Sequence, residues 1–232
     1  MRFVSLASSS SGNAYIVCDA STKILLECGL TWKKLQQLMR FRASDLSGAM
    51  VSHEHKDHSQ CAAKLIDAGV PVYMSEGTAE ALEVEGAVHI EHGEQFAIGT
   101  IDIVPFATFH DAAEPLGFVL KSRIDGDVLV FATDTVNLAY QFPGVNILAI
   151  EANYEKSILA KSEKLPDKVR HRISNSHMEI DTLCRYLSEL DLSRVREIYL
   201  LHLSDAMSDE RWFIRRVRSC VPAGITVTAC PK

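Results

Sequence analysis

Between Met50 and Cys61 the chain reads MVSHEHKDHSQC, which places three histidines and an aspartate within the six positions from His53 to His58. Imidazole nitrogens together with a carboxylate suit Zn, Mn or Fe, whereas Ca and Mg take shells that are chiefly oxygen. If the backbone stays extended after the apolar run GAMVS, alternate side chains point the same way, so His53, His55 and Asp57 share one side while Glu54 and Lys56 point away. His58, at the mouth of a following helix, can turn back toward the same cavity. The bland alternative is a polar loop facing solvent, which this spacing directly after a hydrophobic strand argues against.

One loop cannot fill two metal shells, so a metal site needs ligands from elsewhere. Three residues of the right type stand where apolar strands give out: His110 after IVPFATF, Asp134 after VLVFAT and His202 after EIYLL. Singly each is weak, since a strand-end histidine is commonly just hydrogen-bonded and an aspartate can form a turn. Their order and shared context point to a cavity at the edge of the sheets.

The elements that must position these residues alternate in type. The N-terminal third reads as short strands, RFVSLA, AYIVC, KILLE and GAMVS, with a Ser/Gly/Asn loop predicted from Ser8 to Asn13. TWKKLQQLMR and SQCAAKLIDAG carry helical patterns, the second ending at a capping Gly69. The middle is β again, with a hairpin turn signalled by Asp125-Gly126. The last third alternates strands with the helices IDTLCRYLSEL and DERWFIRRVRS. Ser176 and Glu179 have capping-box spacing, which predicts a helix starting there with His177 in its first turn. No repeat or linker interrupts the pattern, so residues 1–232 read as one domain, with sheets packed face to face and helices outside.

Composition bounds the rest. A chain of 232 residues with 47% hydrophobic content buries a large core. The first apolar run, Phe3 to Ala7, is shorter than the roughly 7 residues of a signal-peptide core. No stretch approaches the about 18 apolar residues of a membrane span. Six cysteines form no C-x-x-C pair, which fits buried thiols in a reducing compartment. The expectation is a cytoplasmic protein with no membrane partner. Its net charge of −6 argues against a coat of nucleic-acid-binding charge, yet Lys33 to Arg42 carries four cations and no acid, and Glu155 to Arg172 is also rich in Lys and Arg. Charge runs of this kind are usually solvated helix faces.

With the loop HEHKDH and the later His110, Asp134 and His202, the chain resembles the metallo-beta-lactamase superfamily over essentially its full length. The closer likeness is to the YycJ/WalJ-like branch, whose members are described as DNA exonucleases. It rests on SSSSGNAY, FHDAAEPLGF, FATDT, EANYE, ISNSHMEIDT and LLHLS. The resemblance implies an αββα four-layer sandwich with two divalent transition-metal ions, Zn or Mn, at one edge of its two sheets. It also implies that His53, His55 and His110 hold one ion, that Asp57, His58 and His202 hold the other, and that Asp134 bridges them. Glu27 stands where the superfamily usually has Asp, and is expected to brace a ligand histidine. Ser52 precedes the loop where Thr is common, and His177 lies in SHME rather than in a Gly-His-Leu-Ser pattern.

Two such ions lower the pKa of a bridging water from about 15.7 toward about 7, which makes hydroxide without a protein base. Asp57 would ligate and orient, and His177 would protonate the leaving group or hold a phosphate. Lys164, Lys168 and Arg170 are the expected phosphate contacts. His89, His92 and His171 read as surface or packing residues, and Cys28 and Cys61 as small buried hydrophobes. Three functions compete. The first is a metal-dependent phosphodiesterase that trims DNA, its ends or single strands. The second is a small-molecule hydrolase acting on a thioester, lactone or cyclic phosphodiester. The third is a binding module without catalysis, which the complete set of seven ligand positions disfavours.

Overall fold

The computed structural model describes residues 1–162 and 165–231. Two sheets divide the chain between them. The first runs in the order β1 (Arg2–Ser9), β2 (Gly12–Cys18), β3 (Lys23–Leu26), β4 (Gly48–Met50), β5 (Val72–Met74) and β6 (Val88–His89). Between its strands lie α1 (Trp32–Leu38), α2 (Lys56–Ser59), α3 (Ala62–Asp67) and α4 (Glu76–Leu82). The second sheet contains β7 (Phe96–Ile98), β8 (Ile101–Ala107), β9 (Leu116–Ser122), β10 (Val128–Ala132), β11 (Ile147–Glu151), β12 (Glu197–Leu201) and β13 (Thr226–Ala229), each beside the next in space. Its helices are α5 (Lys156–Lys161), α6 (Asp167–Ser176), α7 (Ile180–Glu189) and α8 (Glu210–Arg218). No helix of the described residues is long and apolar enough to cross a membrane.

Strand alternation turns one sequence into three layers of core. Tyr15, Val17, Ile24 and Leu26 face Phe118, Leu120, Leu129 and Phe131 between the sheets. Their neighbours Ile16 and Leu25 point the other way, onto Leu35 of α1 and Leu65 of α3. Leu148, Ile150 and Ile198 do the same on the second sheet, against Leu183 and Leu187 of α7 and Phe213 of α8. Each such side chain contributes about 1.5–3 kcal/mol on burial, so the helices are held chiefly by these faces. Three apolar layers between four layers of secondary structure make the αββα sandwich.

Topology then gathers the polar residues. β3 to β6 are mutually parallel, as are β10 to β13, and β8 shares the direction of β10 because both are antiparallel to β9. The carboxyl ends of β3, β4, β8, β10, β11 and β12 therefore open on one edge, the usual place for a ligand crevice.

Two sequence expectations change. The segment from Ser8 to Asn13 is mostly strand, since β1 and β2 pair until Ser9 meets Gly12 and only Ser10 and Ser11 turn. Ser176 caps nothing, because it ends α6, and His177 follows it in extended conformation with φ −130° and ψ 155°. The cap of α7 is Glu179 itself, whose Oε2 accepts from the amides of Asp181 (2.8 Å) and Thr182 (3.1 Å). A carboxylate can satisfy those first-turn amides from the cap position, which leaves Ser176 free to finish the preceding helix.

Candidate metal centre

The loop after β4 is extended only as far as His55, and α2 begins at Lys56. Asp57 thus enters the cavity from a helical turn rather than by strand alternation, and His58 turns in from the same helix as its place at a helix mouth implies. The same turn swings Lys56 onto the cavity wall, contrary to its expected outward direction. Ser59 Oγ donates to the carbonyls of Glu54 (2.8 Å) and His55 (3.0 Å), which locks the turn. Glu54 does point away, and its Oε1 accepts from the Ala113 amide at 2.8 Å, tying this loop to the one that carries His110.

His53, His55 and His110 converge. His55 Nδ1 lies 3.1 Å from His53 Nε2 and 3.1 Å from His110 Nε2. His110 Nδ1 sits 2.7 Å from the Ser176 carbonyl and must donate to it, so a neutral His110 offers a lone pair at Nε2. Three imidazole nitrogens facing one another cannot all be satisfied by the protons available, and a cation between them resolves the conflict. Burial and the neighbouring His58 hold His53 well below the usual imidazole value, and burial beside His110 lowers His55, so both stand as neutral ligands.

The second group differs in sign. Asp57 Oδ2 lies 3.2 Å from His202 Nε2 and 3.3 Å from His58 Nε2. Burial opposes it, yet hydrogen bonds from His202 and His58 hold the Asp57 carboxyl far below its ordinary range. Burial likewise opposes protonation of His202, but Asp134, Asp57 and Glu151 push it up to about 10. Asp134 touches both groups: its Oδ2 is 3.4 Å from His58 Nε2 and 3.6 Å from His110 Nε2, and its Oδ1 is 3.2 Å from His202 Nδ1. Ligand atoms of His53, His55 and His110 lie within 4.8 Å of one another, as do those of Asp57, His58 and His202. These donor sets suit divalent metal ions.

Backbone strain accumulates here. Glu27, Asp134 and His202 are non-glycine residues with φ of +61°, +43° and +53°, each costing about 1–3 kcal/mol. All three follow strand ends at this edge. Glu27 Oε2 stands 3.4 Å from His58 Nδ1 and Oε1 accepts from the Ser52 amide at 3.2 Å, while burial raises the carboxyl's pKa. Close approach also demands Gly29, where a Cβ would lie 1.6 Å from the Asp57 carbonyl oxygen.

His177 reaches the cavity from the other side. Its Nδ1 lies 2.6 Å from Glu151 Oε1, and although burial works against it, the Glu151 charge raises its pKa. Glu151 carried no assigned role in the sequence reading, yet it is fully buried and also accepts from the amides of Thr135 (2.8 Å) and Met178 (3.1 Å). The signal was present: a carboxylate closing the apolar run ILAI is the same pattern that marks Asp134.

Of the expected phosphate contacts, Lys164 lies outside the described residues. Lys168 is exposed. Arg170 pairs with Asp167 and lines a separate groove of about 790 Å³ with Lys156 and Arg185. Arg172, two positions on, is the cation of α6 that lines the metal cavity. Its Nε donates to Asp111 Oδ2 at 2.9 Å. Helical periodicity explains the split, since Val169, Arg172 and Ile173 share one face and Arg170 and Ser174 another.

Comparison with known proteins places this edge in context. The family model described as "Beta-lactamase superfamily domain" matches residues 15–203. Exodeoxyribonuclease YycJ of Bacillus anthracis is 28% identical over 223 residues, covering 88% of this chain and 83% of that protein. Exodeoxyribonuclease WalJ of Streptococcus pneumoniae is 30% identical over 222 residues, covering 88% and 81%. The crystal structure of the metallo-beta-lactamase fold protein YhfI from Bacillus subtilis superposes with a TM-score of 0.77 at 15% identity, over 99% of this chain and 96% of that one. The chain therefore belongs to the metallo-beta-lactamase superfamily, within its YycJ/WalJ-like branch, and is a metal-dependent hydrolase.

Proposed function

We propose that the chain is a DNA phosphodiesterase that removes nucleotides from strand ends. The observation that carries this reading is the open metal cavity of about 340 Å³, whose wall combines Asp57, Asp134, His202 and His177 with the cations Lys56 and Arg172. An anionic substrate fits that wall, and the two named exodeoxyribonucleases resemble the chain over 88% of its length.

In this reading His53, His55 and His110 would hold one ion and Asp57, His58 and His202 the other, with Asp134 facing both groups. When bound, two Zn or Mn ions supply Lewis acidity and an acidified water. The chain's own residues do the rest. Arg172 and Lys56 seat the phosphate by charge and hydrogen bonding. Asp57, on the cavity wall, would ligate and orient. Glu27 and Glu151 fix the rings of His58 and His177. His177, with Nδ1 engaged by Glu151, presents Nε2 to the leaving oxygen and gives up its proton there.

A small-molecule hydrolase is the second reading, favoured by the modest cavity and the net charge of −6. One panel separates them: end-labelled single- and double-stranded oligonucleotides, a bis-aryl phosphodiester and a thioester, each with added Mn or Zn. Stepwise shortening of the oligonucleotides is expected. Turnover of the thioester with intact DNA would replace the proposal by the second reading.

A further inference from the structure

The β1–β2 hairpin carries a buried polar chain whose two ends land on the metal centre. A bulge between Ser5 and Ala7 shifts the register by one residue, so that Ser8 stands opposite Asn13. Ser8, Asn13 and Tyr15 have no exposed surface, although the face they share otherwise supplies apolar packing between the sheets. Buried polar groups in such a place need partners, and these find one another. Ser8 Oγ lies 2.7 Å from Tyr15 Oη, which lies 3.0 Å from Asn13 Oδ1. Ser8 Oγ also lies 2.9 Å from the His202 amide nitrogen. Asn13 Nδ2 lies 3.1 Å from the Asp57 carbonyl oxygen, 3.4 Å from Asp57 Oδ2 and 3.1 Å from His58 Nε2.

Only one direction satisfies every member. The Asp57 carbonyl can only accept, so Asn13 presents its NH₂ there and its Oδ1 to Tyr15. Tyr15 spends its single proton on Asn13 Oδ1. Ser8 must then donate to the Tyr15 oxygen, and Ser8 Oγ accepts from the His202 amide. The donors therefore run in series from His202 through Ser8, Tyr15 and Asn13 to Asp57, and each bond polarises the next.

We propose that Ser8, Tyr15 and Asn13 form a positioning relay that sets how tightly Asp57, His58 and His202 hold a divalent cation. None of the three is a ligand. They hold the Asp57 carboxylate and the strained His202 backbone in one arrangement, while His53, His55 and His110 make no hydrogen bond to them among the described residues. The inference rests on the reading that two ions bind.

Titration of Mn²⁺ into chelator-treated protein, with free ion followed by its EPR signal, tests it. His110→Ala and His202→Ala assign the two binding steps. Tyr15→Phe keeps the ring packed against Phe3 and Phe131 and removes only the hydroxyl. It should weaken the step assigned through His202 by roughly 10–100-fold and leave the other unchanged. Asn13→Ala should do the same if Tyr15→Phe fails to fold. Equal weakening of both steps would mean a merely structural role, and two unchanged steps would mean no role, so either result overturns the relay. A single step in the unsubstituted chain would instead overturn the two-ion reading, and the relay with it.

Discussion

The two ends of the sandwich each carry a carboxylate at the seam between the sheets, and they use it in opposite ways. At the far end, Asp19 accepts from the amides of Ser21 (2.9 Å) and Thr22 (2.8 Å) and from the hydroxyls of Thr100 (2.7 Å) and Ser122 (2.9 Å). Its burden is complete, and although burial opposes it, those bonds hold its carboxyl at about 2. At the other end Asp134 faces ring nitrogens of His58, His110 and His202 in a backbone conformation that disfavours any L residue. One end is finished by hydrogen bonds that the chain itself supplies. The other gathers imidazoles and carboxylates into donor sets that suit divalent metal ions. Strain and unmatched donors belong where function is, and saturated hydrogen bonding belongs where the fold is merely closed.

The sharpest break of this contrast is at Asp134. Asp134→Ala removes a carboxylate that faces ring nitrogens of both ligand groups, so turnover on DNA ends should fall by more than the roughly 10–100-fold that an outer partner costs. Bound metal measured by elemental analysis should fall with it. Glu54→Ala, in the signature loop but pointing away, should keep both ions. Full metal content and activity in Asp134→Ala would remove the bridge from the mechanism.

His177 sharpens the contrast differently, because it lies at the site end without belonging to either imidazole group. His177→Ala is expected to retain both ions and the folded spectrum while losing on the order of 10²-fold in turnover of DNA. The loss should shrink on an activated aryl phosphodiester, whose leaving group scarcely needs a proton. Loss of an ion would make His177 a ligand instead, a role its distance to Asp134 (3.9 Å) and Glu151 leaves geometrically open.

The far end should answer in stability alone. A carboxyl whose folded pKa lies below its unfolded value stabilises the fold above about 3.8, and that contribution is lost as pH falls through about 2. Asp19→Ala should cost about 1–2 kcal/mol at pH 7, discounted for the residue's partial exposure, and lower Tm by roughly 2–6 °C. The deficit relative to the unsubstituted chain should narrow from pH 4 to pH 2, with turnover at 25 °C unchanged. A Tm penalty as large at pH 2 as at pH 7 would deny Asp19 its charge-dependent role.

The same two ends show what was legible beforehand. Residue type at the end of an apolar run pointed to His110, Asp134 and His202, and the structure brings all three to one edge, because strands expose their last side chain wherever a sheet edge opens. The order of β-rich runs, strand-helix units and marginal helices pointed to sheets packed face to face with helices outside, and the family resemblance implied the four layers. Three things did not follow. Asp57 arrives on a helical turn rather than by strand alternation, and a stretch as short as α2 has too few residues to display a helical period. Glu179 caps α7 alone, so the Ser176 spacing misled. The Ser8–Tyr15–Asn13 chain depends on a bulge and on partners far off in sequence, and neither leaves a local pattern.

On the proposed function, the smallest expected effect concerns which cations would meet a DNA backbone, and it separates the two faces of α6 rather than the two ends. Arg172 lines the metal cavity and is held by Asp111, whose Oδ1 lies 3.5 Å from His110 Nε2, so a phosphate there would sit against the first ligand group. Arg170 faces the other groove, its charge already paired with Asp167. Each phosphate contact releases counterions and adds about 0.7 to the slope of log affinity against log salt for a single strand. Binding of an oligonucleotide to chelator-treated protein, which cannot cut, should therefore lose about 0.7 of that slope in Arg172→Ala and nothing measurable in Arg170→Ala. Lys56→Ala should resemble Arg172→Ala, since the helical turn that carries Asp57 also brings Lys56 to the wall. A flattened slope in Arg170→Ala with none in Arg172→Ala would put the strand in the 790 Å³ groove and require its end to bend around α6 to reach the metals.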